Sequence, residues 1–255
     1  MSQNKIYLIT GANRGIGRGL TASLLQRPST TVVAAVRDPA KAKEALESLP
    51  RGQDSKIIVI KLDSGVDSDA SVAVSRLQKD FGISALDVVI ANAGIANDGN
   101  TVLNTSPESI RDHFNVNTIA PISLLQATQP LLKKAQSGNP IFVAMSTAIS
   151  SIGFQEKLAH FPPRFSPYGA SKSALNWLIR RVHIEEPWLT AFVFHPGLVL
   201  TDMGTGLVNA AKDPSKTGAI TVDVSVNGIL KTLDSASREI SGTFQNYDGS
   251  FQFPW

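Results

Sequence analysis

Seven short runs rich in apolar and β-branched residues, KIYLIT, TVVAAV, SKIIVIKL, LDVVIANAG, PIFVAMS, LTAFVFHPG and GTFQNY, alternate along the chain with segments of helical pattern. Runs this apolar, with no polar residue at every second position, predict strands buried on both faces, the condition of a parallel sheet covered by helices. The fold class that follows is α/β, a doubly wound parallel sheet. A chain of 255 residues with 42% hydrophobic composition buries roughly three quarters of its unfolded surface and fits one domain. No Pro/Ser-rich or charge-rich stretch divides it, so the domain is expected to span 1–255. Ser106-Pro107-Glu108 opens a long helix that Ser137-Gly138 closes. Pro121 lies inside that pattern, and the loss of its backbone donor predicts a kink or interruption that frees backbone groups around Asn117.

Composition narrows the partners. The net charge of +3 is small and interspersed, which argues against nucleic acid and against an anionic membrane surface. The absence of cysteine removes disulfides and thiolate zinc sites. The start MSQNK carries no apolar signal region and no run approaches a membrane span, which makes the cytoplasm the expected compartment. His160, His183 and His195 are not accompanied by further ligands at metal spacing, so they are read as packing residues and no metal is expected.

In sheets of this class ligands bind outside the carboxyl ends of the strands. The first such end carries TGANRGIG, with Gly11, Gly15 and Gly17 where a strand hands over to a helix. A bare backbone there permits a tight turn and close approach of a ligand, and the helix amino terminus offers unpaired N–H groups to a pyrophosphate. About 20 residues further on, where a dinucleotide site usually places an acidic residue for the ribose hydroxyls, stands Arg37. A basic residue prefers a phosphate, and Arg14 inside the turn could reach the same group, which selects NADP (NADPH); were Asp38 to face the ribose instead, NAD would be favoured. Asn92, Ala93 and Gly94 end the fourth run, and Ser146 ends the fifth with its hydroxyl available to a substrate oxygen. Tyr168 and Lys172 are four apart on a predicted helix, hence on one face. An ammonium so close is expected to lower the tyrosine pKa toward the working range and make it a general acid for a carbonyl oxygen, with Ser146 donating to the same oxygen.

Together these residues resemble the short-chain dehydrogenase/reductases: the turn Thr10 to Gly17, the NAG at 92–94, Asn117, Ser146, the YxxxK pair Tyr168 and Lys172, and Pro196-Gly197 followed by Thr201. The resemblance covers essentially the whole chain. The closing NYDGSFQFPW is similar to the carbonyl-reductase-like branch that holds the sniffer-type proteins, and to fungal ketoreductases of the norsolorinic acid type. It implies a Rossmann-type sheet of seven parallel strands and a catalytic set of Asn117, Ser146, Tyr168 and Lys172. Lys172 would also hold the nicotinamide ribose, and Asn117 would support a water-linked proton path. The cofactor set it implies is Gly11, Asn13, Arg14, Gly15, Ile16, Gly17, Arg37, Leu62, Asp63, Asn92, Ala93, Gly94, Tyr168, Lys172, Pro196, Gly197, Val199 and Thr201. Leu62 and Asp63 would flank the adenine and Thr201 would touch the carboxamide.

One departure from the family pattern stands out: the stretch between Ser146 and Tyr168 is longer than usual and carries Phe154, His160, Phe161 and Phe165. The elongated loop 152–166 and a lid over 198–220, with Leu198, Met203, Leu207 and Val208, are expected to enclose an apolar, aromatic or polyketide-like ketone. The other reading is that the phenylalanines anchor the loop to the body. The function that follows is NADPH-dependent reduction of such a ketone to a secondary alcohol. An imine reductase of the same fold, or a non-catalytic dinucleotide-sensing or interaction protein, is the alternative. Ala170, Ala174, Trp177 and Arg181 mark a second face of the tyrosine helix, through which a homo-oligomer, dimer or tetramer, is expected.

Overall fold

Each apolar run becomes a strand, and their order in space explains where a ligand can sit. The structure is a computed structural model that describes residues 4–97, 100–159, 165–210 and 217–255, without the side chains of 207 and 210. In chain order the elements are β1 (Lys5–Thr10), α1 (Gly15–Leu25), β2 (Thr30–Val36), α2 (Pro39–Glu47), β3 (Lys56–Lys61), α3 (Asp69–Phe81) and β4 (Val88–Ala91). There follow α4 (Pro107–Phe114), α5 (Ala120–Leu132), β5 (Ile141–Met145), α6 (Ser166–Glu185), β6 (Thr190–His195), α7 (Asp202–Ala210), α8 (Val222–Asp234) and β7 (Phe244–Asn246). The strands form one sheet in the order β3-β2-β1-β4-β5-β6-β7, and every neighbouring pair is parallel. The order reverses between β1 and β4, so their carboxyl ends diverge into a crevice.

The two faces of the sheet bury separate cores, as the uninterrupted apolar runs require. Leu8, Val33, Val89, Phe142 and Val193 face α3, α5 and α6, where Leu77, Leu131, Leu175 and Ile179 meet them. Tyr7, Ile9, Val32, Ile90, Val143 and Phe192 face α1, α2 and α8 through Leu20, Leu24, Leu46 and Ile229. At the amino end of the sheet the buried Asp87 carboxylate accepts from Ile6 N and Ser137 N, closing two backbone groups that the apolar core cannot.

The long helix expected from Ser106 to Ser137 is divided. Ser106 caps α4 by accepting from Ser109 N, a π turn occupies Asn115–Ile119, and α5 ends at Leu132. Pro121 has no N–H to return to the carbonyl of Asn117 one turn earlier, and the ladder shifts to the wider spacing, with Ala120 N bonded to Asn115 O. No helix among the described residues is long and apolar enough to cross a membrane.

Candidate active site

The turn after β1 has room for a backbone ligand because side chains cannot occupy it. Gly11 and Gly15 sit at φ +65° and +51°, and a Cβ on Gly17 would lie 2.2 Å from Gly11 O. Helix α1 starts immediately after, with no side chain capping its first N–H groups and no acidic residue in its first turn. That is the donor set an anionic diphosphate bridge needs, so the turn fits a dinucleotide. The wall opposite is pinned rather than loose: Thr10 Oγ1 accepts from Asn92 N and Ala93 N at 3.0 Å each, and Asn92 Nδ2 donates to Thr10 O at 2.9 Å. Asn92 therefore fixes the turn against the end of β4. Asn13 and Ile16 lie within the turn and the first residues of α1.

The remaining residues named for a cofactor follow the carboxyl ends of their strands. Arg37 is exposed directly after β2, while the neighbouring Asp38 pairs with Lys41 at 3.3 Å. Leu62 and Asp63 follow β3, where the Asp63 carboxylate accepts from Gly65 N at 2.9 Å. Arg14 does not stand free: it reaches across to Asp202 at the start of α7, 3.0 Å away, with both side chains largely exposed. Such a pair is worth about 0–1 kcal/mol, little obstacle to a phosphate that competes for the guanidinium. Gly197 adopts φ +88° after Pro196, and Ser225 Oγ donates to Pro196 O. Val199 pairs with Ile220, which closes the base of the 198–220 segment. Thr201 packs 3.2 Å from where a Gly15 Cβ would stand, so the base of the 198–220 segment and the glycine turn share one wall. Residues 211–216 of the expected lid lie outside the described residues, as do His160 and Phe161 of the longer loop.

Helix α6 presents Tyr168, Lys172 and Asn176 in one row, four residues apart. Lys172 is buried and its Nζ donates to Met145 O, at the end of β5, at 2.8 Å. Gly94 allows the strand exit to pass, since a Cβ there would be 3.0 Å from Asn117 Oδ1 and 3.5 Å from Lys172 Nζ. Asn117 spends its whole side chain as a brace, accepting from Ile95 N and donating to Ile95 O and Ser171 Oγ. What Asn117 has to offer a water is its main-chain carbonyl, whose helical donor Pro121 removes.

The expected lowering of the tyrosine pKa is not what the geometry produces. Desolvation of the phenol pushes Tyr168 up to about 12, with a hydrogen bond from the Thr147 hydroxyl pulling the other way. Burial equally pushes Lys172 down to about 7, its ammonium being committed to Met145 O rather than to the phenol. Ser146, 2% exposed, donates to Asn176 Oδ1 at 2.6 Å and lies 3.0 Å from Ser150 Oγ. Thr147 and Asn176 are the residues that sequence reasoning missed. Asn176 had one available signal, its place four residues beyond Lys172.

The elongated loop turns toward the carboxyl terminus. Phe154 meets Phe253 edge to face at 5.3 Å, Ser151 Oγ donates to Pro254 O and Gly153 N to Trp255 O. Phe154 thus anchors the loop to the body. Phe165 is half-buried with φ +69° at the entry to α6. His195 is half-buried, held neutral by desolvation of its ring that lowers its pKa to about 4, and accepts from Ala148 N. His183, in the last turn of α6, lies against Gly242. Both histidines pack. Among the described residues no three His, Cys, Asp or Glu side chains gather around a common point.

A family model for short chain dehydrogenases matches residues 5–212. The norsolorinic acid ketoreductase of Dothistroma septosporum is 40% identical over 255 residues, covering 100% of this chain and 94% of the relative. Among solved structures, NADPH-bound carbonyl reductase from chicken fatty liver superposes with a TM-score of 0.84 at 30% identity, covering 100% of this chain and 96% of that one. The carbonyl reductase Sniffer of D. melanogaster superposes at 0.81 with 27% identity over the whole of both chains. The match spans the glycine turn and the tyrosine row alike, and the chain belongs to the short chain dehydrogenase family.

Proposed function

We propose that the chain reduces an apolar, aromatic or polyketide-like ketone to a secondary alcohol, using NADPH, with Tyr168 as the proton donor. The observation that carries this reading is the row on α6: Tyr168 beside Thr147 and Lys172 anchored on the end of β5, next to a turn shaped for a dinucleotide. The relatives add support, being ketoreductases and carbonyl reductases by name. When bound, NADPH supplies the hydride that adds to the carbonyl carbon. The chain does the rest: the amino end of α1 and Arg37 would hold the cofactor's phosphates, Gly94 and Lys172 would hold its ribose, and Tyr168 gives its proton to the carbonyl oxygen as charge develops there. Lys172, the nearest cation in the row, then faces the phenolate that is left. The test is a panel of aryl ketones, small keto acids and cyclic imines, each with NADPH and with NADH. Turnover of aryl ketones with NADPH is expected; turnover confined to imines or to NADH overturns the reading.

The pH dependence follows from the two shifted groups. A phenol near 12 stays protonated through neutrality, which suits the donor of a reduction. Lys172 is charged below about 7 and neutral above it, so stabilisation of the phenolate is present on the acid side and lost as pH rises. Ketone reduction is therefore expected to decline as pH rises past about 7, whereas oxidation of the alcohol, which starts from the phenolate, rises toward alkaline pH. Profiles of kcat/KM in both directions check this, and reduction that increases with pH contradicts it.

We propose further that two copies pair through the second face of α6. Trp177 is 64% exposed there, with Ile184 also exposed on α6 and Ile110 on α4, and Arg181 stacks over the Trp177 ring. An exposed tryptophan with an exposed isoleucine seven residues on along the same helix is the composition of an interface core. Light scattering at micromolar concentration is expected to give a multiple of 27.2 kDa, and a monomer contradicts the pairing.

A further inference from the structure

We infer that Asn176 is a positioning residue whose rotatable amide decides where the single proton of Ser146 points. The inference rests on the ketone-reduction reading. Ser146 is 2% exposed and Asn176 3%, so neither exchanges its partners freely with water. Ser146 Oγ donates to Asn176 Oδ1 at 2.6 Å, while Asn176 Nδ2 donates to Ser150 Oγ at 2.8 Å and Ser150 Oγ donates to Thr147 O at 2.6 Å. An amide oxygen carries no hydrogen, so in this arrangement the Ser146 proton is committed to Asn176. Toward the crevice Ser146 then offers lone pairs only. That serves an alcohol, which can donate, and fails a ketone or developing alkoxide, which must receive.

A half-turn of the amide reverses the polarity without orphaning any buried group. Asn176 Nδ2 then donates to Ser146, Ser150 donates to Asn176 Oδ1, and the Ser146 proton is released from the amide, free to turn from Ser150 Oγ, 3.0 Å away, to a substrate oxygen. Thr147 O gives up the Ser150 hydroxyl but keeps Ser150 N, 2.9 Å away. The two contacts, 2.6 and 2.8 Å, suit either assignment of nitrogen and oxygen. Ser173 Oγ, donating to Ser150 O at 2.6 Å, ties the loop to α6 so that the three side chains stay in register while the amide turns. Asn176 thus lets one serine act as donor to a ketone and as acceptor from the alcohol it becomes.

Asn176→Asp separates this role from simple packing. A carboxylate of the same shape only accepts, so it holds the protons of both serines and keeps Ser146 from donating. Reduction is expected to fall in kcat by about a hundredfold, the scale of losing one donor to a developing oxyanion, with NADPH affinity unchanged. Ser146→Ala is expected to cost as much, and the double variant no more than either alone. Activity of Asn176→Asp should recover as pH falls and the introduced carboxyl takes up a proton. Asn176→Thr, whose hydroxyl accepts from one serine and donates to the other, should retain kcat within about tenfold of wild type. Should Asn176→Asp not fold, Asn176→Leu takes its place in the same cycle, with the same non-additivity expected. Additive losses, or kcat and NADPH affinity falling together without pH recovery, overturn the role. The underlying reading fails separately, when wild type turns over no ketone. In that event the Asn176 side-chain NH2 resonances, identified by their loss in the variant, decide: they shift on Ser146→Ala if the amide is coupled to the serine, and their failure to move overturns the inference whatever the substrate.

Discussion

Tyr168→Phe is expected to bind NADPH as wild type does while ketone turnover falls by ~10²–10⁴-fold, the range of a lost general acid. The substitution keeps the ring, and with it the packing of the first turns of α6 over the loop after β5, where Gly169 rests on Ile149. What disappears is the proton, together with the partner of the Thr147 hydroxyl. Lys172→Ala behaves differently, because Lys172 both anchors on Met145 O and lies beside Gly94; it should cost cofactor affinity as well as turnover. Steady-state kcat and a fluorescence titration of NADPH separate the two. A Tyr168→Phe enzyme with nearly normal kcat removes the tyrosine from the mechanism.

Arg37→Ala is expected to weaken NADPH by roughly ten- to a hundredfold and leave NADH almost untouched. A charge-assisted contact to a phosphate is worth about 1.5–3 kcal/mol, which converts to that range. Arg37 is exposed at the end of β2, and the exposed pair of Arg14 with Asp202 is weak enough to yield to a phosphate. Asp38, the residue that would favour NAD, is occupied with Lys41. Equal losses for NADPH and NADH in the Arg37 variant contradict a phosphate contact.

The parts of the fold visible in the sequence were those that depend on neighbours along the chain. Uninterrupted apolar runs announce strands covered on both faces, and all seven are present in one parallel sheet. The glycine turn and the Tyr168/Lys172 pair were legible for the same reason, each being a spacing within a single element. Pro121 even located the interruption near Asn117, which takes the form of a π turn. Relationships between distant elements were not legible. Thr147 meets Tyr168 and Asn176 meets Ser146 only because α6 crosses the end of β5. Arg14 finds Asp202 only because α7 starts beside the glycine turn. The tyrosine pKa was expected to fall on spacing alone, but the sign is set by depth, and burial shifts both members of the pair toward their neutral forms. For Phe154 the sequence leaves lid and anchor both open, and the carboxyl-terminal Phe253 against it decides for the anchor.

The most direct test of ketone reduction is the fate of the hydride. Wild-type protein is incubated with NADPH carrying deuterium at the transferable position of the nicotinamide and with an aryl ketone, and the product is examined by mass spectrometry and proton NMR. The expected result is a secondary alcohol with one deuterium on its carbinol carbon, formed in step with the loss of NADPH and abolished in Tyr168→Phe. An alcohol without deuterium, or NADPH that remains unconsumed across the whole ketone panel, contradicts hydride transfer to a ketone at this site.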